Sequence, residues 1–448
     1  MLKNSVRLLV ITGIFIFSHT VFAQVWLADR DNKQGPGFKL GDSLVLHVGL
    51  GLEGGFDSNA MYSSDEVKAG RLRITPYIDL ATRSKQRMEA KDGAVKLTPP
   101  KGTFSLGVAT YYDRYFTKDK DKVDNLNSKF NPFGIDTHLN FTILPQRKFT
   151  IIGGVTYVKT LEPYESSADS QNRHELSPAL GFIVSPGGGN LQIESKYRYH
   201  LLYFSDEKVG DNSNRMDHDI SVNTSWKFLP KTALISNVLF SPHLYYGSNS
   251  TNVDSLPLKS YLGIQTLILN KFGIKFLAGY GASFYKAGPN FDSFIGDLAL
   301  MFYMTPFSKI SLGVKRDFVD SFYGNYYERD GGYLSYDQLF AGRLLLTLKS
   351  EVYARIYSEY HGEGLGDTDT TVTINKNNRK DVWITGSLLL EYRASDWLSF
   401  HMSGRLWADV TDFSTTYSWN DALGIAQTNV YDTQFVKFEA LAGVRFHY

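Results

Sequence analysis

The stretch RMDHDISVNTSWKFLP (215–230) alternates strictly, and that alternation limits the chain more than any other feature. Asp217, Asp219, Ser221, Asn223, Ser225 and Lys227 interleave with His218, Ile220, Val222, Thr224, Trp226 and Phe228. A period of two puts one set on each face of a strand, whereas a helix would scatter both sets around its axis. The same pattern runs through FGIDTHLNFTIL (133–144) and LQIESKYRYHLL (191–202). It also fills FVKFEALAGVRFHY (435–448), which alternates to its final residue, Tyr448. A chain terminus normally frays into polar residues, so a terminal strand of this kind implies that its last residues have a partner.

The connectors have a rhythm of their own. Short, turn-like pieces are LPQRK (144–148), SPGGGN (185–190), LPKT (229–232), NKFG (270–273), TPFSK (305–309), KSE (349–351) and RASDW (393–397). Long polar pieces lie between them at 117–128, 162–171, 205–214, 247–254, 323–332, 362–379 and 411–429. Short turns at one end and long loops at the other describe an up-and-down transmembrane barrel. The expected fold is therefore all-β, an antiparallel barrel of about eighteen strands, with sixteen to twenty inside the boundary error. The strands run from 43–56 through 309–322, 333–348 and 351–361 to 433–448. The piece at 84–102 falls on the short-turn side yet is long, and leaves the register around it open. A sandwich core rarely grows past about 250–300 residues, and a propeller would repeat every ~40–50 residues. No such repeat is present.

Hydrogen bonding supplies the reason for closure. In lipid an unpaired backbone group costs several kcal/mol, so a sheet that crosses a bilayer must leave no edge. The terminal strand is then required to join the first. Its Phe446 and Tyr448 are expected in the aromatic girdle at the short-turn interface.

The beginning of the chain points to the same compartment. Lys3 and Arg7 precede the apolar run LLVITGIFIF (8–17), and Val21 and Ala23 form a small-residue cleavage pattern. This reads as a secretory signal peptide, 1–23, followed by a short periplasmic segment, 24–42, and the barrel, 43–448. The run is shorter than the ~20 residues a spanning helix needs. The chain has no cysteine, which excludes disulfides, thiolate metal sites and a lipid-modified N-terminal cysteine. With 47 basic against 46 acidic residues the net charge is +1, so no field exists to gather nucleic acid. The high count of Tyr (28), Phe (30) and Gly (39) suits strands and turns.

On this reading the polar face lines a lumen. The candidate lining residues are Arg73, Asp79, Asp136, His138, Glu194, Lys196, Arg198, Asp217, Asp219, Lys315, Asp317, Arg343, Arg355, Glu359, Glu391, Arg405, Glu439 and Arg445, with His200, Lys227, His401 and Lys437 beside them. Both signs are mixed, which argues against a strongly ion-selective pore. Tyr77, Tyr261, Tyr353, Tyr357 and Trp407 are inward aromatics that a sugar could stack on, with packing as the plainer role. No catalytic, cofactor or metal site is expected. DKDKVD (119–124) and GDTDTT (366–371) lack the full calcium-loop pattern, and neither HExxH nor GxSxG occurs.

FDSNAMY (56–62) and TPFSKISLGVKRDFVDSFYGNYYERD (305–330) carry a resemblance. They are similar to a family of outer-membrane β-barrel porins associated with exopolysaccharide export and with gliding-motility clusters. The resemblance implies a pore or scaffold with outer-membrane lipid around it. Its implied partners are the barrel-assembly machinery, which reads the terminal aromatic, and periplasmic polysaccharide-export or motility proteins. It supplies no catalytic residue. Two functions follow as expectations: passage of a solute or exopolysaccharide, or a structural and adhesive role carried by the long outer loops.

Overall fold

A computed structural model describes residues 36–41, 43–82, 101–118, 127, 132–145, 147–160, 172–205, 210–211, 213–247, 250, 252–358, 371–374, 379–420 and 426–448. The segments 1–23, 24–35 and 84–100, Glu359 and both acidic loops, apart from Thr371, lie outside the described residues.

Eighteen strands close into one antiparallel barrel. They are β1 (Leu44–Asp57), β2 (Ala69–Thr82), β3 (Gly102–Phe116), β4 (Phe133–Ile143), β5 (Phe149–Thr160) and β6 (Arg173–Val184). Next come β7 (Leu191–Phe204), β8 (Arg215–Leu229), β9 (Thr232–Phe240, resuming at His243–Tyr245), β10 (Ser255–Ile268), β11 (Phe272–Tyr285) and β12 (Phe291–Thr305). The last six are β13 (Ser308–Asp320), β14 (Tyr326–Phe340), β15 (Leu344–Tyr357), β16 (Lys380–Arg393), β17 (Leu398–Thr411) and β18 (Phe435–His447). The interruption in β9 falls at Ser241–Pro242, where proline has no N–H to give the ladder. At the loop end Thr371–Ile374, Ser414–Asn420 and Ala426–Asp432 form a separate three-stranded sheet.

The two faces differ as the alternation requires. Leu180, Leu262, Phe284, Phe294 and Val314 are all more than half exposed on the outer face. Taking such a side chain out of water is worth roughly 1.5–3 kcal/mol. A whole cylinder of them has to be covered by hydrocarbon, which makes this a membrane-spanning barrel. Phe149, Trp226, Phe228, Phe272, Trp397 and Phe446 ring its short-turn end as exposed aromatics. The inner face carries most of the ion pairs instead.

Closure occurs between β1 and β18, in register from Gly49 opposite His447 to Asp57 opposite Glu439. Val48 and Tyr448 exchange both backbone hydrogen bonds at 2.8 and 3.0 Å. Below that point Phe38–Leu40 takes over the pairing, with Phe38 opposite Leu46 and Leu40 opposite Leu44. It continues the line of β18, and the Phe38 ring sits 4.3 Å from that of Tyr448.

One hairpin corrects the sequence expectation. The predicted strands 333–348 and 351–361, with KSE as the turn, are in fact β14 and β15 joined by residues 341–343. Ala341 and Gly342 both have positive φ, 46° and 70°, the backbone that a two-residue hairpin turn requires. Lys349 and Glu351 are polar because they face inward, opposite Ser335 and Tyr333. Arg343 consequently belongs to the turn and not to the lumen wall, and the loop before β14 shrinks from 323–332 to 321–325.

Candidate functional site: an ion-paired lumen with a narrowed mouth

The strand registers put Arg73, Asp79, Asp136, His138, Glu194, Lys196, Arg198, Asp217, Asp219, Lys315, Asp317, Arg355, Glu391, Arg405, Glu439 and Arg445 on the inner face. Most are committed to one another.

Beside the closing seam, Arg71 reaches Asp113 at 2.6 Å and also pairs with Glu439. Arg73 shares Asp113 at 2.8 Å, and Arg405 shares Glu439 at 2.9 Å. Lys437 donates to Asp57 at 2.5 Å and to the Asn59 carbonyl at 3.1 Å. Lower down, Glu53 takes His401 at 2.5 Å and Arg445 at 3.2 Å, and Arg445 extends to Glu391. Asp57, Lys437 and Glu439 are buried, so each charge depends on its partner.

A second group lines β6 to β9. Arg173 holds Glu175, Glu175 approaches His200 at 3.5 Å, and Asp217 gathers His200, His243 and Arg215 at 3.0, 2.6 and 2.8 Å. Arg198 and Ser241 share Asp219. A third group centres on Asp317, which takes Lys259 and Lys315 at 2.9 Å each and Arg329 at 3.3 Å.

The inward aromatics lie against the wall. A Cβ on Gly49 would strike the Tyr77 ring, and one on Gly313 would strike that of Tyr333, so each ring lies flat over the neighbouring strand. Arg329 stacks over Tyr353, Arg355 over Trp383 at 3.9 Å and Arg405 over Trp407. Tyr357 is buried in a cluster with Tyr323, Tyr327 and Phe413. These contacts serve packing before they serve any ligand.

Two loops turn inward at the long-loop end. The β1–β2 loop brings Tyr62 onto Trp383, Trp407 and Phe435, with the Lys437 ammonium 4.1 Å from its ring. Asn59 pins that loop through Ser63 and the Val436 carbonyl. The β13–β14 loop crosses the mouth. Phe322 packs on Leu202, Phe204 and Tyr245, while Tyr323 packs on the other side against Tyr327 and Tyr357. Asn325 donates to the carbonyls of Ala287 and Pro289 at 2.8 and 2.9 Å. Sequence reasoning missed both loops. The signal was there in Tyr62 and Tyr323, large aromatics outside the expected strands, and in Phe322, the last residue of the expected strand 309–322. Beneath the second loop a polar cavity of about 420 Å³ is lined by Glu175, Arg198, His200, Lys259 and Phe318.

No family model matches the chain, and no curated protein is significantly similar to it. Solved structures are similar at low identity. OpdK of Pseudomonas aeruginosa, solved with vanillate, is 8% identical, with 90% of this chain and 99% of that one covered at a TM-score of 0.43. The siderophore receptor PirA of Acinetobacter baumannii is 7% identical, covering 92% and 81% at 0.44. The FrpB iron transporter of Neisseria meningitidis, F3-3 variant, is 9% identical, covering 91% and 82% at 0.41. Likeness at this level carries no argument about solute or role.

Proposed function

We propose that the chain is an outer-membrane barrel that lets small hydrophilic solutes pass without catalysis. One observation carries the reading: an eighteen-strand cylinder has an apolar outer face and an inner face of mutually paired charges. Barrels of sixteen to eighteen strands hold an aqueous interior. The inner charges of both signs favour weak ion selectivity. The inward β1–β2 and β13–β14 loops favour small solutes over a polymer, so export of an exopolysaccharide would need both loops to withdraw. Export through a cleaved signal peptide (1–23) and delivery to the barrel-assembly machinery by the Phe446/Tyr448 end belong to the same proposal.

The test is conductance of the refolded protein in planar bilayers, with liposome swelling in sugars of increasing size. Discrete steps and a sharp size cut-off are expected. A silent bilayer at every voltage together with no swelling would refute the pore.

A second reading rests on the three-stranded sheet at the loop end, a platform for surface attachment in an envelope complex. Deleting 412–433 should then abolish attachment and leave swelling intact. Unchanged attachment ends that reading.

A further inference from the structure

Strands β12 and β13 are joined by a tight turn, yet their ladder stops halfway. It runs from the turn up to Gly296 opposite Arg316 and then ceases. Continued, it would set Ile295 against Asp317, Phe294 against Phe318 and Ser293 against Val319. Instead Phe291–Ile295 pairs only with β11, and Asp317–Asp320 pairs only with β14.

Three of the backbone groups released there have substitutes. The Phe294 carbonyl accepts from the Arg316 guanidinium at 3.2 Å. The Phe318 carbonyl accepts from the Lys259 ammonium at 2.5 Å, and the Phe318 N–H donates to Asp317 at 2.8 Å. Three ionised side chains thus stand in for one missing ladder rung. In hydrocarbon an unsatisfied rung would be too costly to keep.

Phe318 also breaks the alternation. Leu312, Val314 and Arg316 point outward, and Phe318 should follow. Its ring instead lies inside the barrel, stacked 4.1 Å from Phe291 and packed on Ile295, with no exposure. The gap therefore has an apolar plug within and a polar bolt without. The bolt is Arg316, held by Glu328 at 2.5 Å and Asp330 at 2.6 Å on the outer face of β14. Phe318 and Lys259 both line the polar cavity of about 420 Å³.

We propose that the upper β12–β13 seam is a lateral port between this cavity and the outer leaflet, and that it takes a single-chain carboxylate amphiphile. The tail occupies the slot between Phe291, Ile295 and Phe318. Displacement of Phe318 takes its carbonyl from Lys259, and the ammonium, still paired with Asp317, turns the released N–H to the carboxylate in a cluster where Lys259, Lys315 and Arg329 outnumber the one carboxylate of Asp317. The proposal rests on the membrane-spanning reading but not on aqueous conductance.

The test uses the full chain in lipopolysaccharide-containing liposomes with a dodecanoate carrying a diazirine near its tail end. After irradiation, adducts are mapped by mass spectrometry. They are expected at residues 291–295 and 317–319. Because the chain has no cysteine, Ser293→Cys with Val319→Cys introduces one thiol pair at the positions the ladder would oppose. Oxidation with diamide should cut seam adducts about tenfold by removing the open state from the population. Reductant should restore them, and sugar-driven swelling should not change. Phe318→Trp, which fills the slot, should suppress adducts without oxidation and decides the matter if the disulfide does not form. Lys259→Met should lower labelling by the carboxylate and spare labelling by the matching dodecanol probe. Adducts spread evenly over the outer face and unaffected by lock or plug would overturn the port. Loss of swelling with intact seam adducts would instead count against the aqueous pore.

Discussion

Two seams of this barrel contrast. The seam between β1 and β18 joins the ends of the chain, about 390 residues apart, and its closure entropy exceeds that of any hairpin. It is paired along its length, prolonged by Phe38–Leu40 and flanked by a buried ion network. The seam between β12 and β13 joins neighbours through a turn and is the cheaper one to close. It is nonetheless open above Arg316. Chain connectivity would give the opposite result, so the opening reflects what Arg316, Asp317 and Phe318 do and not a failure of the sheet to reach.

The largest effect should come from removing Phe446–Tyr448. That exposes the lower edge of β1 to lipid at several kcal/mol for each lost rung. The heat-modifiable folded band on cold gels should disappear. A normal band would mean that the closing seam tolerates an open end and is not the stronger of the two.

Next in size is Lys437→Met. It leaves Asp57 buried without its ammonium partner, a loss of about 3–5 kcal/mol for a broken buried pair. The urea midpoint should fall, and adding Asp57→Asn should recover much of it. Recovery in the double variant separates the cost of an orphaned charge from the cost of lost packing.

Arg316→Ala should cost less globally, because it leaves the closing seam and its buried pairs intact. Its effect is local. The Phe294 carbonyl loses its donor, and amide exchange in 291–295 should accelerate while 49–57 on β1 stays protected. Equal acceleration at both places would dissolve the contrast between the seams.

Much of the barrel was legible because lipid and water impose one rule on every strand. The first and last strands and most inward charges followed from period two, and the closure from the rule that lipid tolerates no unpaired edge. The β14–β15 hairpin was misplaced because polarity was taken as the mark of a turn. Lys349 and Glu351 are polar as lumen wall, while Ala341–Gly342 turns by backbone conformation, which an alanine does not advertise. The inward loops were missed because their partners, such as Trp383 for Tyr62 and Leu202 for Phe322, lie more than a hundred residues away in sequence. Phe318 reads as lipid-facing by parity, and parity holds only while a strand stays in the sheet. One residue did betray the seam: Arg316, a cation at an outward position behind Ile310, Leu312 and Val314.

The smallest effect belongs to Phe38→Ala, and it tests whether the closing seam is built with surplus. The ring covers Tyr448 below the last rung of β18, where Phe38–Leu40 has replaced that strand as the partner of β1. Loss of an aromatic contact of this kind costs about 0.5–1.5 kcal/mol. The folded band should persist, with a slightly lower melting temperature and faster exchange at Val48 and Tyr448. A loss as severe as that of the terminal deletion would make the N-terminal clasp part of closure itself. No change at all would leave β1 and β18 sufficient, and the excess of the closing seam over the β12–β13 seam would then reside in its buried charges.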